Sequence, residues 1–93
     1  MYRIIDERGS GKTGRLFLLA KENNGIIACA NPHAMRVKAE RYGILGIDFI
    51  SYGELLEQGP KITGNIFIDE LEVFAQYAIR NMSGFMGYTL SKE

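Results

Sequence analysis

Residues 2–23 change character twice. Tyr2 to Ile5 is a short, largely apolar run with β-branched residues, and it stops at Asp6. Gly9, Ser10, Gly11 and Gly14 then crowd into a tight turn. From Thr13 to Asn23 the spacing becomes helical: Leu16, Leu19 and Ala20 fall on one face at i, i+3 and i+4, and Phe17 and Leu18 widen it. A strand, a glycine turn and an amphipathic helix in direct succession leave few ways to pack. The helix must cover a sheet, and the next strand must return parallel to the first by a right-handed crossover.

The rest of the chain repeats that alternation. Asn24-Gly25 is a helix stop. Gly25 to Ala30 is continuously apolar, as suits a strand covered on both faces. Asn31-Pro32 pairs a good N-cap with proline at the first helical position. Met35, Ala39 and Tyr42 then share a face, and Gly43 closes the helix. Ile47 to Ile50 reads as a strand, and Ser51 with Glu54 is a capping box that opens a helix from Tyr52 to Gln58, ended by Gly59-Pro60. Asn65 to Asp69 reads as a strand, and Glu70 to Asn81 as a helix with Leu71, Phe74 and Ala78 inward. Gly84 breaks it, and Phe85 to Leu90 is expected to add a last strand. The pattern predicts one α/β domain over residues 1–93, a three-layer sandwich with a small, mainly parallel sheet.

The glycine turn carries a specific chemistry. Arg8-Gly9-Ser10-Gly11-Lys12-Thr13-Gly14 sits between a strand and the start of a helix. Glycines let backbone N–H groups approach a polyphosphate closely, and the free N–H groups and dipole of the new helix favour an anion. Lys12 is placed to reach the β and γ phosphates, and the Thr13 hydroxyl to coordinate Mg²⁺. The consensus G-x-x-x-x-G-K-[S/T] is met in its second half, but Asp6 stands where its first glycine belongs.

A second signal lies downstream. Asn65-Ile66-Phe67-Ile68-Asp69-Glu70 is a strand ending in two acids. Such a strand delivers its carboxylates to the carboxyl edge of the sheet, where open α/β sheets bind ligands. Asp69 is expected to hold Mg²⁺, and Glu70 to polarise the attacking water as general base. The plainer reading is that Asp69 caps the next helix while Glu70 complements its dipole.

Together these strings resemble a P-loop NTPase. Gly9-Ser10-Gly11-Lys12-Thr13 is similar to Walker A, and Ile66-Phe67-Ile68-Asp69-Glu70 to Walker B. The adjacent Asp-Glu pair looks like the branch that includes helicases, AAA⁺ proteins and DNA-packaging motors. The resemblance runs from Tyr2 to about Ser91. It implies ATP and Mg²⁺ as ligands and Lys12 and Glu70 as catalytic groups; Thr89 or Ser91 stands where the family bears a polar sensor, the plainer reading being a polar strand end. The guanine-specificity string Asn-Lys-x-Asp is absent, which favours ATP over GTP. The chain is shorter than a motor core and shows no identifiable arginine finger; Arg80 is read first as a helix-dipole complement. The expected function is therefore ATP binding with slow, Mg²⁺-dependent hydrolysis. The alternative is a non-hydrolysing module that regulates or inhibits a larger partner, as a small accessory protein of a virus or mobile element would.

Composition narrows the partners. Lys plus Arg is 11 and Asp plus Glu is 11, so net charge is zero. Nucleic-acid binders draw much of their affinity from a basic excess, which counts against DNA or RNA. A protein partner or a second copy of the chain fits better. No apolar run approaches a membrane span, residues 1–6 lack the apolar core of a signal peptide, and the single cysteine, Cys29, suits a reducing compartment. A cytoplasmic location, in a cell or a host, is the expectation. His33 and Cys29 are read as a solvent-facing and a core residue, and Asn31 as a cap.

Overall fold

The computed structural model describes residues 11–80 and 82–89. Three strands form one parallel sheet. β1 (Ile26–Cys29) lies at the centre, with β2 (Asp48–Ser51) on one side and β3 (Ile66–Ile68) on the other. Ile27 stands level with both Phe49 and Phe67, and Ala28 with Ile50 and Ile68. The expected first strand, Tyr2 to Ile5, lies outside the described residues.

Each helix starts and stops for a local reason. α1 (Lys12–Glu22) begins at Gly11, whose φ of 84° and ψ of 13° lie in the left-handed region that glycine enters without a Cβ penalty. It ends where the Asn23 side-chain amide donates to the Leu19 carbonyl at 2.8 Å and the Gly25 N–H to Ala20 at 2.7 Å. α2 (Pro32–Arg41) is capped by Asn31, whose side-chain oxygen accepts from the Ala34 N–H at 3.1 Å. α3 (Tyr52–Gln58) opens on a reciprocal box: the Glu54 N–H donates to Ser51 Oγ, and the Ser51 N–H to Glu54 Oε1, both at 3.1 Å. A 3₁₀ turn, Gly59–Lys61, follows. α4 (Leu71–Ile79) closes the set.

Period-two alternation along the strands divides the core between two faces. Ile27 and Cys29 of β1 face α1 and α2, where Phe17, Ala20, Ala39, Ile47 and Phe49 complete a buried cluster. Ala28 faces the other way, toward Tyr52 and Leu55 of α3, with Phe74 and Tyr77 of α4 packed against them. Helices on both faces of a parallel sheet give the expected three layers.

Two expectations need correction. Leu71 is 64 % exposed rather than inward. α4 starts past the tip of β3, so its first turn overhangs the sheet; Phe74 is inward as expected, and Tyr77 joins it. Residues 85–89, expected to begin a strand, form none, and all five are exposed. A strand exists only through a pairing partner, and among the described residues this segment has none.

Candidate functional site

Because the three described strands run parallel, their carboxyl ends share one edge of the sheet. β1 delivers Asn31 there, β2 delivers Ser51, and β3 delivers Asp69 and Glu70. The amino end of α1 reaches the same edge. Lys12, its first residue, places Nζ 3.4 Å from Glu70 Oε1. The lysine of the glycine turn and the acid after β3 therefore meet, although all three strands lie between them along the chain.

The backbone of the acid pair is held at both ends. The Asp69 N–H donates to the Ala28 carbonyl at 3.0 Å, extending the β1–β3 ladder by one rung. The Asp69 carbonyl accepts from the Tyr52 hydroxyl at 2.6 Å. Glu70 then adopts φ 58°, ψ 72°, left-handed and without glycine's exemption. Its carbonyl accepts the Phe74 N–H at 3.0 Å and starts α4. Glu70 is itself the N-cap and makes no side-chain capping bond. Asp69 stands one residue too early to cap, so capping does not account for it, while Glu70 does lie at the positive end of the α4 dipole.

Electrostatics at this edge oppose one another. Burial pushes the Asp69 carboxyl above the usual carboxylate range, and the nearby Glu70 charge pushes it further; Lys38 and Lys12 pull it back. Burial, with the Asp69 and Glu70 charges behind it, raises the Tyr52 phenol to about 12, so the hydroxyl stays a donor. Burial likewise raises the Cys29 thiol to about 11, with Asp69 adding to the shift; Sγ lies 3.7 Å from the Ile50 carbonyl.

The expected ligand set is only partly within view. Gly11, Lys12, Thr13 and Gly14 stand at the start of α1, whereas Arg8, Gly9 and Ser10 lie outside the described residues. Among the described residues, a Cβ built on Gly11 meets nothing within 4 Å, while one on Gly14 would lie 3.6 Å from the Tyr42 ring. Thr13 and Asp69 are hard oxygen donors, the class that Mg²⁺ takes. Thr89 lies in the irregular 85–89 segment, and Ser91 is outside the described residues. Arg80 lies over the Tyr77 ring, 4.6 Å from its centroid. His33 is exposed in the first turn of α2, and Cys29 is buried, both as expected.

Two contributors escaped the sequence. Tyr52 enters the sequence reading only as the first residue of a capped helix, and nothing in its spacing reveals that its hydroxyl reaches the Asp69 carbonyl. Lys38 is a surface residue of α2, brought toward Asp69 only by the packing of that helix on the sheet. Comparison of the chain with known protein families, curated proteins and solved structures finds no match to any of them. Among the described residues no helix is long and apolar enough to cross a membrane.

Proposed function

We propose that this chain binds ATP with Mg²⁺ at the carboxyl edge of its sheet and hydrolyses it slowly. The observation that carries this reading is the approach of Lys12 Nζ to Glu70 Oε1, 3.4 Å apart. It joins the glycine turn to the acid pair, two signals far apart in the sequence. Support also comes from the parallel sheet, the left-handed Gly11 at the start of α1, and a Glu70 side chain that makes no capping bond to α4.

The residues divide the task as follows. The amides of the Arg8–Gly14 turn and the Lys12 ammonium hold the phosphates. Thr13 and Asp69 hold the cation. Mg²⁺, when bound, offsets the negative charge of the phosphate oxygens. Glu70 accepts the proton of the attacking water. Lys12 and Glu70 engage each other in this structure, so the phosphates must draw Lys12 away before Glu70 is released as a base. That exchange, and the lack of an identified arginine finger, make slow turnover the expectation.

Calorimetric titration with ATP and Mg²⁺ tests the reading. Saturable binding is expected, and Lys12→Ala should weaken it by about tenfold or more, the worth of one charge-assisted contact. No binding of any nucleoside triphosphate by the wild-type chain overturns the reading. Binding without phosphate release supports the alternative, a non-hydrolysing module that regulates a larger partner.

A further inference from the structure

The acid pair sits where the chain leaves the sheet, so its aim depends on one peptide plane. On one side of that plane Asp69 is fixed by the last ladder rung, its N–H on the Ala28 carbonyl. On the other side Glu70 turns left-handed, a conformation that a residue with a Cβ keeps only when its surroundings impose it. The carbonyl between them projects past the tip of β3. The Tyr52 hydroxyl meets it at 2.6 Å, a short bond from the β2–α3 junction to the β3–α4 junction.

Tyr52 is built to deliver that hydroxyl rigidly. It is the first residue of α3, directly after the Ser51 cap. Its ring is buried and packs edge-on against Phe74, centroids 5.3 Å apart, and tilted against Tyr77 at 5.9 Å. Phe74 also closes the first hydrogen bond of α4, onto the Glu70 carbonyl. One aromatic cluster therefore grips the acid turn from both flanks.

We propose that Tyr52 is a positioning residue: its hydroxyl fixes the Asp69–Glu70 peptide and so aims the Asp69 carboxylate at the cation. This rests on the ATP and Mg²⁺ reading above. Partners that orient a metal-holding group without touching the metal typically change metal affinity by about 10- to 100-fold.

The test is Tyr52→Phe, which keeps the ring and removes one oxygen, with Tyr77→Phe as a control in the same cluster. ATP affinity is measured calorimetrically in Mg²⁺ and in EDTA, with circular dichroism to verify folding. Tyr52→Phe should lower affinity about tenfold in Mg²⁺ and leave it unchanged in EDTA. Tyr77→Phe should leave both unchanged. A purely structural role for Tyr52 would leave the ratio of the two affinities as in wild type, and that result overturns the proposal. So does an equal loss of the Mg²⁺ effect in Tyr77→Phe. Absence of ATP binding by the wild-type chain defeats the underlying reading instead, so the two failures are separate.

Discussion

Glu70→Gln should strengthen ATP binding while it stops turnover. Two charges 3.4 Å apart attract by about 1 kcal/mol in a water-like medium and about 5 kcal/mol at an effective dielectric constant of about 20. Lys12 is 26 % exposed and Glu70 43 %, which places the pair near the solvent-screened limit. A realistic worth is about 0.5–1 kcal/mol. In the free protein that attraction competes with the phosphates for Lys12. Glutamine keeps the shape of the side chain, drops its charge and releases the lysine. The gain in affinity is then about two- to fivefold, and taking the Glu70 charge away from beside the phosphates acts in the same direction. Turnover loses its base and should fall by about 10²–10⁴. Calorimetry gives the affinity, steady-state phosphate release gives the rate, and a thermal melt should show less than about 1 kcal/mol of change in stability. The affinity gain should shrink in high salt, because the pair is partly exposed. Weaker ATP binding in Glu70→Gln, or turnover at the wild-type rate, would refute the reasoning.

Three further outcomes rest on the same packing and electrostatics. The Asp69 carboxyl is raised above its ordinary range, so between the unfolded and folded values the native chain binds more protons than the unfolded one, and stability falls as pH rises through that window. Asp69→Asn should therefore raise the neutral-pH melting temperature relative to wild type and flatten this pH dependence, while losing the Mg²⁺ enhancement of ATP binding; a lower melting temperature at neutral pH would contradict this. Gly25→Ala would place a Cβ 2.7 and 2.8 Å from the Phe67 ring and 3.2 Å from the Asn65 carbonyl, and should cost about 1–3 kcal/mol in urea unfolding, where an unchanged midpoint would count against the packing described. Cys29, buried and with its thiol raised to about 11, should resist a disulfide reagent at pH 8 and react promptly in urea; equal rates in both would disprove its burial.

The legible parts of this fold are those whose causes lie within a few residues. Asn31 and Ala34 are three apart, as are Ser51 and Glu54, and both caps form where the sequence places them. The run from Gly25 to Ala30 reads as a doubly covered strand because it is continuously apolar, and β1, Ile26–Cys29 within it, is the central one of the three described strands. Leu71 and residues 85–89 read wrongly because periodicity records which side chains align, and does not say whether a sheet lies beneath them or a strand beside them.

The candidate site divides along the same line. Glycine turn, lysine and strand-terminal acids are each visible as local strings, because their chemistry depends on residue type and short spacing. Their convergence is a product of strand direction and helix placement. The parallel sheet brings Asp69 to the edge where α1 begins, Lys12 finds Glu70 there, and Tyr52 reaches the Asp69 carbonyl from a different crossover. Local sequence sets turns, caps and periods through bonds a few residues long. The meeting of distant side chains is set by how whole elements bury their apolar faces, and that burial is a property of the assembled layers.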